Sequence, residues 1–112
     1  MQPYATPYES SDQNTTTTLD VCIAFYQRLA ADFPQLLRFE RIGEADDGLP
    51  MYAGVVSTDG VFDSAAVRKQ GRLVFFNNNG IHPGEPEGID VCMALVRDFC
   101  VDAQARARLG QT

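Results

Sequence analysis

Two residues stand where chemistry could be done: His82, the only histidine of the 112-residue chain, and Glu85, three positions on. At that spacing on an irregular backbone, an imidazole nitrogen and a carboxylate oxygen can turn toward one point. Such a pair suits zinc at about 2.0–2.2 Å. Pro83 and Pro86 restrict the backbone that presents them. The spacing alone is weak evidence, because with 15 acidic residues in 112 an acid follows a lone histidine by three in about one case in seven. A second reading therefore stays open, a helix-capping acid beside a surface histidine. Glu87 and Asp90 lie close by, at the head of a helix, where exposed amides and the positive dipole end are the expected partners rather than a metal.

The elements around the pair strengthen the first reading. Residues 73–76 (Leu-Val-Phe-Phe) form a continuous apolar run, the pattern of a strand buried on both faces, with Phe75 and Phe76 as core residues. Three asparagines follow, then Gly80 and Gly84, which permit close backbone approach, and a helix starts at about Glu87. A loop leaving the carboxyl end of a buried strand and entering a helix is where open α/β sheets place ligands.

Upstream, Cys22, Phe25, Leu29 and Phe33 recur at helical spacing from Thr18, a plausible N-cap, and Pro34 ends the pattern. Residues 37–42 and 51–57 read as a hairpin, with turn chemistry across Gly43-Glu44-Ala45-Asp46-Asp47-Gly48. Residues 58–71 read as a polar connection. The second helix carries Val91, Ala94, Leu95 and Asp98, and residues 103–109 extend it or begin another. Residues 1–14 read as an extended lead-in on the surface, and no internal repeat is visible.

A net charge of −6 and nine scattered basic residues argue against nucleic acid as a partner. The three cysteines lack CxxC spacing and read as core thiols, not a disulfide framework. Residues 1–14 carry neither a basic start nor an apolar stretch, so they are not a secretory signal, and no run suits a membrane span. Asn14-Thr15-Thr16 matches a glycosylation acceptor, a match that matters only in a secreted eukaryotic protein.

The run Asn79-Gly80-Ile81-His82-Pro83-Gly84-Glu85-Pro86-Glu87-Gly88-Ile89-Asp90 resembles the first zinc-ligand segment of carboxypeptidase A-like zinc carboxypeptidases. The order helix, hairpin, connection, buried strand, site loop, helix matches too, so the likeness runs from about Tyr8 onward. It implies an α/β fold, part of the mixed-sheet zinc carboxypeptidase domain, with residues 15–112 as its amino-terminal part. It also implies a Zn2+ cofactor held by His82, Glu85 and a second histidine further along the chain. The general-base glutamate, the arginines that bind the substrate's terminal carboxylate and a pocket tyrosine are likewise expected downstream, leaving no catalytic base in this chain. Gly84 stands where many members of the family have an arginine before the glutamate, which puts subsite contacts in doubt but not metal binding.

By the same resemblance, the complete enzyme would hydrolyse peptide bonds at the carboxyl termini of peptides or proteins, in a family many of whose members are exported. The 112-residue chain alone would bind zinc weakly and turn over nothing. In the family a further strand lies between the hairpin and the 73–76 strand; without it, unpaired edges and an uncovered apolar face predict poor solubility or association. Two other functions compete: a zinc amidohydrolase of the aspartoacylase and succinylglutamate desuccinylase type, whose loop usually reads His-Gly-Asn-Glu, and a noncatalytic binding domain on the same fold.

Overall fold

The computed structural model describes residues 3–110, and within them the chain forms five helices and one antiparallel hairpin. The first element, α1 (Pro7–Ser10), lies inside the stretch expected to be extended. Its cause is local: Thr6 accepts from the Glu9 amide at 3.2 Å while Glu9 accepts from the Thr6 amide at 2.8 Å, and Pro7 supplies a helical φ without an orphan amide. The threonine is fully buried. Tyr4, just before it, packs edge-on to Phe33 and donates its hydroxyl to Asp32, so the lead-in is strapped to the next helix.

That helix, α2 (Leu19–Asp32), begins after Thr18 and stops where the Phe33 amide reaches the Leu29 carbonyl and Pro34 can donate nothing. Its inward stripe puts Leu29 at the centre of the core, completely buried against Leu37 and Cys100, with Phe25, Tyr26, Phe33, Leu36, Val56 and Val96 around it. Burial of one such leucine contributes about 1.5–3 kcal/mol. The expected helical spacing is thus realised.

The hairpin pairs β1 (Leu37–Glu44) with β2 (Pro50–Val56), from Leu37 opposite Val56 to Glu44 opposite Pro50, with a bulge between Arg41 and Gly43. Its turn closes through Gly48 N–H to the Ala45 carbonyl and Ala45 N–H to the Leu49 carbonyl. Gly48 holds a φ of 82°, a backbone state that a side chain disfavours. The hairpin docks on α2 through an aromatic stack: Tyr26 to Phe39 at 5.2 Å, then Phe39 to Tyr52 at 4.9 Å with the rings 5° from parallel.

The connection holds a further helix, α3 (Ser64–Lys69), capped by Asp63, whose carboxylate accepts from the Ala66 amide at 2.7 Å. After it the chain departs from expectation. Residues 73–76, read as the buried central strand, form no strand, with 77% to 82% of each residue exposed. Among the described residues, no backbone group of residues 73–79 bonds to another backbone group. The physical reason is the lack of a neighbour: the only sheet described has two strands, and an apolar run becomes a strand only where a ladder and two covering faces receive it.

The last long element, α4 (Glu87–Val101), buries Met93 and Cys100, and α5 (Ala103–Ala107) is a separate helix begun by Asp102, which caps the Gln104 amide. Arg97 of α4 is buried and donates to Glu9 of the α1 capping box and to Asp98. All three cysteines are free thiols, and burial pushes those of Cys22 and Cys100 up to about 11. The accessible surface, 7781 Å², exceeds the roughly 6,100 Å² typical of a folded monomer of 12.3 kDa, in keeping with the bare 73–76 run. Among the described residues, no helix is long and apolar enough to cross a membrane.

Candidate metal-binding loop

The loop between the apolar run 73–76 and α4 carries both residues singled out by the sequence. Its centre is one tight turn over His82, Pro83, Gly84 and Glu85, closed by the Glu85 amide donating to the His82 carbonyl at 3.1 Å. Proline at the second position suits such a turn because its ring presets φ, whereas Gly84 has no positive φ and a Cβ there would meet nothing within 4 Å. The turn's consequence is chemical. It brings His82 Nδ1 to 3.1 Å from Glu85 Oε2, with both side chains about 70% exposed.

That separation allows a test of whether the pair fits zinc. Two donors each about 2.1 Å from a tetrahedral ion lie roughly 3.4 Å apart. The observed distance falls within a few tenths of an ångström, so a cation could be shared with little movement once Nδ1 gives up its proton. Without a metal, the same distance is a hydrogen bond. The donor set is incomplete, because among the described residues no three of His, Cys, Asp and Glu gather where one ion could touch them all.

Asp90 does not complete the set. It is buried, and its carboxylate accepts from the Thr16 hydroxyl and, at 3.2 Å, from the Thr17 amide. The expectation that it meets amides at the head of its own helix is corrected in one respect: the amide belongs to the segment leading into α2, 73 residues away in sequence. Asp90 therefore ties the start of α4 to the segment just before α2. Glu87 is exposed in the first turn of α4, where its charge favours the dipole. A cleft of about 560 Å³ opens between the lead-in and α4, lined by Thr6, Glu9, Thr16, Pro86, Glu87 and Asp90, and neither His82 nor Glu85 lines it.

The structure also brings forward residues that sequence reasoning took only as loop and helix. Asn77 and Asn79 both donate their side-chain amides to Cys92 Sγ, at 3.0 and 2.7 Å. Gly80, with a φ of 72°, and Gly88 both sit against neighbours that leave no room for a Cβ. Of the two glycines expected to permit close approach, Gly80 does so, whereas a Cβ at Gly84 would meet nothing within 4 Å; Gly88 was not singled out. The thirteen-residue relation of Asn79 to Cys92 follows no helical or strand period and had no signal.

Residues 22–111 match the family model described as zinc carboxypeptidase. No curated protein and no solved structure matches the chain significantly.

Proposed function

From the premise that this chain belongs to the zinc carboxypeptidase family, we propose that His82 and Glu85 are two ligands of a catalytic zinc in an enzyme that removes residues from the carboxyl termini of peptides. The observation that carries this reading is the 3.1 Å approach of His82 Nδ1 to Glu85 Oε2 across a hydrogen-bonded turn. When bound, zinc would polarise the scissile carbonyl and lower the pKa of a bound water toward about 7.

The chain's own residues have distinct tasks in this reading. His82 contributes a neutral nitrogen donor, and Glu85 an anionic oxygen that offsets part of the ion's charge. Pro83 and the Glu85-to-His82 backbone bond keep the two close, and with no side chain at Gly84 the turn offers a substrate only backbone there. Catalytic zinc ordinarily takes three protein ligands and keeps a fourth position open. The third ligand and the general base are assigned to groups outside residues 1–112, which would make residues 15–112 the amino-terminal part of the catalytic domain. The 112-residue chain by itself is accordingly a weak zinc binder without turnover.

The test is zinc content and affinity of the chain, of His82→Ala and of Glu85→Ala, beside the longest product that the gene encodes. The expected result is about one zinc in the long form, lost on either substitution, with release of carboxyl-terminal residues from peptides and little zinc in the short chain. Tight binding of one zinc by the short chain through His82 would sink the incomplete-site reading. Cleavage of N-acyl amino acids instead of peptides by the long form would move the assignment to an amidohydrolase.

A further inference from the structure

The site turn is the middle of a short arc whose two ends are held against the same helix. On the incoming side, the amide of Asn79 bonds Cys92 Sγ at 2.7 Å, assisted by Asn77 at 3.0 Å. The other half of the same Asn79 side chain fits against bare backbone: a Cβ at Gly88 would meet Asn79 Oδ1 at 2.5 Å and its Cγ at 3.0 Å. One residue on, a Cβ at Gly80 would meet Ile89 Cδ1 at 2.7 Å. Residues 79–80 therefore touch the first two turns of α4, and the arc from Ile81 to Pro86, with both candidate ligands, is closed between fixed ends.

We propose that Asn79, seated against Gly88 and bonded to Cys92, is a positioning residue that holds the His82–Glu85 turn at ligand spacing before any metal arrives. The inference rests on the assignment of those two residues as zinc ligands. Its physical basis is that closing the arc has an entropic cost already met in the folded chain, so less ordering is left to oppose the metal. Cysteine sulfur is a weak acceptor. The hold comes from two donors converging on it together with the close fit at Gly88, which a single N–H···S bond would not supply.

The test reads zinc binding and loop order separately from stability. Zn2+ is titrated into the 112-residue chain and into the longest gene product while the His82 ring nitrogens are followed by NMR, and exchange of the Glu85 amide is measured without metal. Gly88→Ala is the informative variant, because alanine is the better helix former. A merely structural role for this position predicts an equal or higher Tm and unchanged zinc affinity. The expected result is an undiminished Tm with zinc affinity about 10-fold weaker and faster Glu85 amide exchange.

Asn79→Ala should weaken zinc to a similar degree. The Asn79→Ala/Gly88→Ala pair should stay weak although the steric conflict is gone, and Cys92→Ser, which keeps an acceptor, should remain within about 3-fold of the parent. Wild-type affinity and wild-type Glu85 exchange in both Asn79→Ala and Gly88→Ala, with zinc lost in His82→Ala, would overturn the positioning role and leave the ligand assignment standing. Unchanged zinc binding in His82→Ala and Glu85→Ala would remove the ligand assignment itself, and the positioning role with it.

Discussion

Replacement of Glu9 by glutamine tests how the lead-in is held to α4. Arg97 is all but buried, its side chain 4% exposed, and its guanidinium donates to Glu9 Oε2, to Asp98 and, at 3.5 Å, to the Tyr4 carbonyl. Glutamine keeps an oxygen for the Thr6 amide in the capping box, so the substitution removes charge and little else. Stripping one partner from a fully buried ion pair costs about 3–5 kcal/mol, while an exposed pair is worth about 0.2–1. Glu9 is one-third exposed and Asp98 remains as a counter-charge, so the expected cost is about 1–2 kcal/mol at pH 7. In a domain of this size that lowers Tm by about 5–12 °C.

The pH dependence gives the stricter check. The hydrogen bond from Arg97 holds the Glu9 carboxyl below the usual glutamate range. A carboxyl whose folded-state value is depressed contributes stability that is fully present above its unfolded value, about 4.3, and is lost as pH falls through the folded value. Thermal melts of parent and Glu9→Gln should therefore differ at pH 7 and converge as pH drops below about 4.3. A Tm gap that stays constant down to strongly acidic pH, or no gap at neutral pH, would refute the argument that the Glu9 charge stabilises the buried guanidinium.

Leu29→Ala, at a fully buried position, should destabilise by about 2–5 kcal/mol in urea unfolding, and a loss under about 1 kcal/mol would place the core elsewhere. Val74→Lys and Phe76→Lys, on a run that is about four-fifths exposed, should shift sedimentation toward monomer while changing unfolding free energy by no more than about 0.5 kcal/mol. A loss of more than about 1 kcal/mol in either variant would instead mean that the run is covered in solution.

The elements with strong periodic or turn signals were legible. The 3.6-residue stripe through Cys22, Phe25 and Leu29 became α2, and Ala45-Asp46-Asp47-Gly48, within the stretch read as turn chemistry, became the hairpin turn. Two short helices went unread although their caps were in view: Thr6-Pro7-Tyr8-Glu9 is a capping-box pattern with proline at the first helical position, and Asp63 precedes α3. Each is too brief for periodicity to register, so only the cap could have announced it. Residues 73–76 show the opposite case. Their strand character is plain in the sequence, but a strand is a relation between segments, and no described neighbour supplies it. At the site, the proximity of His82 to Glu85 was readable because it is local. The seat of Asn79 on Gly88 and the bond from Thr16 to Asp90 were not, because they join segments that only the folded chain brings together.

The aromatic stack has a use separate from its packing. The sequence contains no tryptophan, so the near-ultraviolet spectrum belongs to tyrosine and phenylalanine, and Tyr26, Phe39 and Tyr52 form a stacked group of rings. Tyr26 comes from α2 and the other two from the hairpin, so the coupling of Tyr26 to Phe39 exists only while those elements are docked. The near-ultraviolet circular dichroism of this chain is therefore a built-in optical gauge of how the helix seats on the hairpin. It can be read without a label.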